Sequence, residues 1–251
     1  MDKGIVLITG ATAGIGEATA ELLAENGFRL ILTGRRSDRL EAMKTRLGKL
    51  TAVHTLCFDI RNREEVNEAI GSLPGEWKEI NILLNNAGLA AGMDHFHECD
   101  IDDWERMIDT NLRGLLYISR KVAPGMIERG SGHIVNVGSI AGREMYERGN
   151  VYSATKHAVE ALSRGMRIDM LEHGVKVSTV SPGLVETEFS VVRFRGDKER
   201  AKKPYLGMKP LSGRDVAEAI LFMLTRPPHV SIQDLLIMPA AQATALTVHR
   251  E

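Results

Sequence analysis

The stretch Ile5-Val6-Leu7-Ile8-Thr9-Gly10-Ala11-Thr12-Ala13-Gly14-Ile15-Gly16 decides the fold. A short apolar, β-branched run gives way to a glycine-rich turn and then to a helical apolar pattern from Ala18 to Asn26 that closes on Gly27. The order is strand, glycine turn, helix. Glycines let a backbone come close to a pyrophosphate, and a helix N-terminus offers unpaired N–H groups and the positive end of a dipole. The spacing, Gly-x-x-x-Gly-x-Gly, departs from the commoner Gly-x-Gly-x-x-Gly. Its place between a strand and a helix at the head of the chain strengthens it.

Outward from this turn, strands and helices alternate. Phe28–Thr33, Ala52–Phe58, Ile80–Leu84, the buried run 132–139, Val175–Ser181 and Leu235–Met238 read as strands. Helical patterns cover 39–47, 103–129 with a break expected near Pro124-Gly125, the segment after Tyr152 to about His173-Gly174, and 214–225 behind the cap Ser212. Alternation of this kind predicts an α/β chain with one doubly wound (Rossmann) parallel sheet, a single domain over 1–251, and helices on both faces. The second strand leads into Gly34-Arg35-Arg36, where many NAD-binding sequences carry an acid for the ribose 2′-hydroxyl. An acid would repel a 2′-phosphate whereas guanidinium groups pair with one, so Arg35 and Arg36 point to NADP.

Composition narrows the function. A chain of 251 residues buries about three quarters of its unfolded surface and needs no disulfide. With 32 basic and 33 acidic residues, a formal charge of -1 and no dense Lys/Arg tract, nucleic acid is not an expected partner. Cys57 and Cys99 are expected as reduced thiols in a cytoplasm. No uninterrupted apolar run approaches the roughly 18 residues of a membrane span, and the start Met1-Asp2-Lys3-Gly4 carries no signal-peptide core.

Three chemical groups gather between Ser139 and Lys156. Tyr152 and Lys156 stand four apart at the head of a helical pattern and share a face. Moving a phenol from about 10 to about 7 takes roughly 4 kcal/mol, which one ammonium about 4 Å away can supply at an effective dielectric near 20. Lys156 is therefore expected to acidify Tyr152. Ser139, read as the last residue of its strand, would hold a carbonyl or alcohol oxygen at the sheet's ligand-binding end. Asn111 falls in mid-helix, where an amide competes for backbone hydrogen bonds: either a satisfied amide or a bend around ordered water accounts for it. His95 and His97, in Asp-His-Phe-His-Glu-Cys-Asp (94–100), lack a second ligand cluster, so no metal is expected. The basic, apparently irregular segment 188–211 reads as a substrate lid, with Arg193 or Arg195 the choices for holding an anion.

Thr9-Gly10-x-x-x-Gly14-x-Gly16, Asn85-Asn86-Ala87-Gly88, Asn111, Ser139, Tyr152-x-x-x-Lys156 and Pro182-Gly183-x-Val185-x-Thr187, in this order, resemble the short-chain dehydrogenase/reductase family over nearly the whole chain. The resemblance implies a catalytic tetrad of Asn111, Ser139, Tyr152 and Lys156. It also implies cofactor contacts from Gly10, Thr12, Gly14, Ile15, Gly16, Arg35, Arg36, Asp59, Ile60, Asn86, Ala87, Gly88, Tyr152, Lys156, Pro182, Gly183, Val185 and Thr187. Ala13 stands where some NADP-using members carry a basic residue, which leaves selectivity to Arg35 and Arg36. Within the family, Thr33-Gly-Arg-Arg, Met107-Ile-Asp-Thr-Asn and Val192-Arg-Phe-Arg-Gly-Asp look like the bacterial NADP-dependent 3-hydroxy acid dehydrogenases acting on serine and allo-threonine. Family members are commonly tetramers that pair the long helices carrying here Asn111 and Tyr152, so the resemblance implies a homotetramer, while the basic segment 188–211 suggests a small anionic substrate. A reductase of sulfoacetaldehyde-type aldehydes, a reductase of bulkier ketones such as 3-oxoacyl thioesters, and a non-enzymatic NADP sensor are the rival readings.

Overall fold

Ile5–Ile8 forms β1, buried along its whole length, at the centre of a computed structural model that describes residues 3–251. The first two residues of the expected 1–251 span, and with them the start of the N-terminal reading, lie outside the described residues. Beside β1 run β2 (Arg29–Gly34), β3 (Val53–Cys57), β4 (Ile80–Asn85), β5 (Gly132–Val137), β6 (Val175–Pro182) and β7 (Asp234–Ile237). Among the described residues they make one seven-stranded sheet in the order β3-β2-β1-β4-β5-β6-β7, every pair parallel. The chain winds outward from β1 to β3 and then returns to β4. That reversal opens a crevice at the C-terminal ends of β1 and β4.

Side-chain alternation sends the strands' residues into two cores. Val6, Ile8, Leu30, Leu32, Val135 and Val180 pack on one face against α1 (Gly14–Glu25), α2 (Ser37–Leu47) and α9 (Gly213–Leu224). Leu7, Ile31, Leu83, Ile134 and Val177 pack on the other against α3 (Arg63–Gly71) and α5 (Leu115–Glu128). Burial on both faces is why these strands read as unbroken apolar runs. Helix α3 escaped the sequence reading because Val66 is its one fully buried residue. Its start is fixed by the Asn62 side chain, which accepts from the Glu64 and Glu65 N–H groups.

The expected 103–129 helix is one continuous rod with its irregularity elsewhere. It runs as α4 (Ile101–Ile108), a π-helical segment Asp109–Gly114 and α5. Pro124 lies inside α5 and does not break it. Pro124 and Arg120, four residues before it, are both on the solvent face, where water can take up the carbonyl that the proline leaves without a donor. The segment 188–211 is likewise not irregular. It holds α7 (Glu188–Arg193), α8 (Lys198–Lys202) and a 3-10 turn, Lys203–Tyr205. Asp197 caps α8, accepting from the Glu199 and Arg200 N–H groups. Helix α6 (Asn150–Asp169) ends before His173, and a 3-10 turn over Leu171–His173 leads to Gly174 in the left-handed region.

Candidate active site

The C-terminal ends of β1, β4, β5 and β6 supply the floor of the site. Asn86, just past β4, donates its side-chain amide to the Thr9 and Gly10 carbonyls at 2.9 and 3.0 Å. A side chain on Gly16 would fall 2.4 Å from that amide and 2.5 Å from the Gly10 oxygen, so only glycine admits α1 this close to the strand ends. Ala13, the N-cap of α1, contributes no side-chain acceptor. The first-turn N–H groups at Gly14, Ile15 and Gly16 are thus left for water or an anionic ligand. This cradle fits a dinucleotide pyrophosphate.

Around it lie the other residues expected to touch a cofactor. Arg36 donates to the Thr12 hydroxyl at 2.8 and 3.1 Å and to its carbonyl at 3.1 Å. Arg35 sits 3.7 Å from Asp59, which is held chiefly by Arg61 at 2.6 Å, and the Arg61 hydrogen bond keeps the Asp59 carboxyl below its usual range. Ile60 is buried, and its side chain and carbonyl abut Gly114. Ala87 donates its N–H to the Thr9 hydroxyl at 3.0 Å. Pro182 ends β6, Gly183 follows against Gln242, and Val185 bridges to Leu211. Thr187 caps α7, accepting from the Phe189 N–H.

The four residues of the expected tetrad converge beside this floor. A side chain on Gly88 would lie 3.3 Å from Asn111 Oδ1 and 3.7 Å from Lys156 Nζ, which marks how closely the two groups approach. Asn111 sits in the π-helical segment, accepts from the Leu89 N–H at 2.8 Å, and donates to the Leu89 carbonyl at 2.9 Å and the Thr155 hydroxyl at 3.0 Å. The widened turn thus carries an amide that ties α4–α5 both to the β4 loop and to α6. Ser139 is two residues beyond β5, not its last residue. In extended backbone it caps a 3-10 turn, Ile140–Gly142, accepting from the Ala141 N–H at 3.1 Å.

Tyr152 and Lys156 are both buried on α6. Here the electrostatic expectation is corrected. Burial, and then the neighbouring Tyr146, raise the Tyr152 phenol above its ordinary value, against a smaller lowering by its hydrogen bond with Ser139. Burial also lowers Lys156 to about 8, with Glu160 opposing. The same dry surroundings that would strengthen the attraction penalise both charges first. The Lys156 ammonium donates to the Val137 carbonyl at 2.8 Å.

The segment 188–211 separates the two arginines. Arg193 lies with its guanidinium carbon 5.7 Å from the Tyr152 ring centre and 5.6 Å from that of Tyr146, and donates to the Gly92 carbonyl at 3.2 Å. Phe189 closes on Tyr152 at 5.7 Å between ring centres. Arg195 is taken up by Asp103 at 2.7 Å and Asp100 at 3.2 Å, so it ties the segment after α7 to the start of α4 and does not face Tyr152. Tyr146, Arg39 and Glu188, absent from the sequence reading, lie at the site or its lip. Nothing but proximity to Tyr152 and Arg36 could have flagged them. The C-terminal residues pack back on the chain: the Glu251 N–H donates to the Gly207 carbonyl, and Gln242 accepts from the Leu184 N–H just past β6. His95 meets Arg148 at 3.0 Å, and among the described residues no group of three or more His, Cys, Asp or Glu is placed to hold a metal ion.

Residues 4–197 match the family described as short chain dehydrogenase. The NADP-dependent 3-hydroxy acid dehydrogenase YdfG of Salmonella typhi is 49% identical over 248 residues, covering 98% of this chain and 99% of the relative. The serine 3-dehydrogenase of Rhizobium radiobacter is 41% identical over 250 residues, 99% of each. A solved closed form of serine dehydrogenase complexed with NADP+ superposes with a TM-score of 0.92 at 48% identity, covering 98% of this chain and 100% of that one.

Proposed function

The chain belongs to the short-chain dehydrogenase family, and we propose that it is an NADP-dependent oxidoreductase moving a hydride between the nicotinamide and the hydroxyl-bearing carbon of a small 3-hydroxy acid such as serine or allo-threonine. One observation carries the mechanism: a buried Tyr152 beside the Ser139 hydroxyl, with the Lys156 ammonium and the Asn111 amide converging on Gly88 beside a dinucleotide cradle. The full-length relatives named for this reaction supply its substrate class.

NADP, when bound, supplies the hydride acceptor or donor. The chain's own residues do the rest. Gly14, Ile15 and Gly16 would hold the pyrophosphate, and Arg35 and Arg36 would meet the 2′-phosphate. Asp59, Ile60, Asn86, Ala87, Gly88, Pro182, Gly183, Val185 and Thr187 would supply the remaining contacts to the nucleotide. Ser139 orients the substrate oxygen. Tyr152 gives that oxygen its proton as a carbonyl is reduced, and takes it back as an alcohol is oxidised. Lys156 holds the nicotinamide ribose and, as a cation, stabilises the phenolate formed in passing, while Asn111 keeps the helix open for a water-borne proton path.

Arg193, above Tyr152, binds the substrate carboxylate, which makes the substrate anionic and leaves Arg195 as an anchor. The lid packed on Tyr152 through Phe189 and Arg193 favours a small acid over a 3-oxoacyl thioester. We further propose a single domain with the lid at 188–211, a cytoplasmic location and a homotetramer. In support of the last, Ile108, Leu116, Ile168 and Leu171 are exposed on and beside α4, α5 and α6.

The test is a turnover screen. NADP+ reduction is expected with serine, allo-threonine and short 3-hydroxy acids, and not with NAD+ at equal concentration. Turnover confined to sulfonated or neutral alcohols would remove the 3-hydroxy acid assignment.

A further inference from the structure

Arg36, the N-cap of α2, and Arg39, one turn further on, hold their guanidinium groups around one anion, and that anion belongs to the protein. Glu188, the first residue of lid helix α7, places Oε2 at 2.9 Å from Arg36 Nη1 and Oε1 at 2.8 Å from Arg39 Nη1. Both arginines also reach back to the glycine turn, Arg36 to the Thr12 hydroxyl and Arg39 to the Thr12 carbonyl at 3.3 Å. Thr187, the residue before Glu188, touches the same turn, since a side chain on Gly14 would lie 3.1 Å from Thr187 Cβ. Three segments of chain therefore meet at the lip where Arg36 is expected to receive a 2′-phosphate. The two guanidiniums hold the Glu188 carboxyl below its usual range, Arg39 first. The side chains remain 40–47% exposed, so the ion pairs are weak and exchangeable in water.

We propose that Arg39 reads the 2′-phosphate together with Arg36, and that Glu188 is an internal anion which this phosphate displaces, freeing α7 from the lip of the nucleotide site. The inference rests on the NADP reading above and assigns to it two residues outside the Arg35-Arg36 pair. A phosphate monoester carries about -1.5 to -2 at neutral pH and outcompetes a single carboxylate for two guanidiniums. The two anions cannot share the fork, because like charges at that range repel. A 2′-hydroxyl brings no charge, so NAD leaves the Glu188 bridge in place. Glu188 thus lowers the affinity for NADP by the strength of its own bridge and couples the identity of the nucleotide to the attachment of the lid.

Calorimetric titration of the full chain with NADP+ and with NAD+ tests this without any turnover. Glu188→Gln, which keeps the shape and removes the charge, is expected to bind NADP+ about two- to fivefold tighter with NAD+ unchanged, the size of an exposed ion pair. Glu188→Ala is read by the same ratio and guards against an effect of the new amide. Arg39→Ala is expected to weaken NADP+ by about fivefold or more and to spare NAD+. An unchanged or lower NADP+/NAD+ preference in both Glu188 variants, or equal weakening of the two nucleotides in Arg39→Ala, overturns the proposal. Failure of the wild-type chain to prefer NADP+ would instead overturn the cofactor reading on which it rests.

Discussion

Burial, and then the neighbouring Tyr146, raise the Tyr152 phenol above its ordinary value in this fold. Removing only the hydroxyl leaves the ring's packing against Phe189 in place. Tyr152→Phe is therefore expected to lower turnover about 10²- to 10⁴-fold while changing stability by about 1 kcal/mol or less, read by steady-state kinetics and urea unfolding on the same preparation. A second buried group has a consequence for stability alone. Burial, with Lys176 adding to it, lowers His133 to about 4. Its Nε2 lies 2.8 Å from Ser178 Oγ, and that hydroxyl already donates to the Ile232 carbonyl. Having one proton, Ser178 must accept from His133, which makes the ring a neutral Nε2–H tautomer. The unfolded chain therefore takes up a proton near pH 6.5 that the folded chain resists until about 4. Stability is complete above pH 6.5 and falls as acid is added through that window, by roughly 3 kcal/mol from this residue. Urea midpoints between pH 7 and 4 should show the loss, and His133→Gln should flatten it; an equal slope in both proteins would assign it to other groups.

Helix α7 turns a charged stretch of sequence into a directed surface. Arg193 and Arg195 are two residues apart, yet the helix and the turn after it send one toward Tyr152 and the other toward Asp100 and Asp103. A charge-assisted hydrogen bond to a substrate carboxylate contributes about 1.5–3 kcal/mol. Arg193→Ala is accordingly expected to raise KM for a 3-hydroxy acid by about tenfold or more, and to raise it far less for a neutral alcohol. Arg195→Ala should leave that ratio unchanged. Equal effects of Arg193→Ala on charged and neutral substrates would separate it from anion binding. The π-helical segment shows the converse economy: Asn111 looked misplaced in a helix, and the widened turn gives its amide three partners.

At the scale of the molecule, Ile168 (74%) and Leu171 (75%) leave large apolar side chains exposed, in keeping with the proposed tetramer. Sedimentation equilibrium is expected to give about four times 27.6 kDa, and Ile168→Glu with Leu116→Glu to lower it; a monomer in the wild type would refute the tetramer. The sequence by itself determined the parallel α/β sheet and its glycine turn, since strands buried on both faces and close backbone approach leave direct marks in residue type. It also led, through the ordered motifs that resemble the family, to the expectation of Tyr152, Lys156, Ser139 and Asn111 as the catalytic group, which the fold brings together around Gly88 and Ser139. Only the tertiary structure decided which of Arg193 and Arg195 faces Tyr152, that Glu188 spans Arg36 and Arg39, and that burial raises the phenol instead of Lys156 lowering it. Those outcomes depend on desolvation and on contacts between segments up to 152 residues apart, and neither quantity is encoded in the spacing of neighbours along the chain.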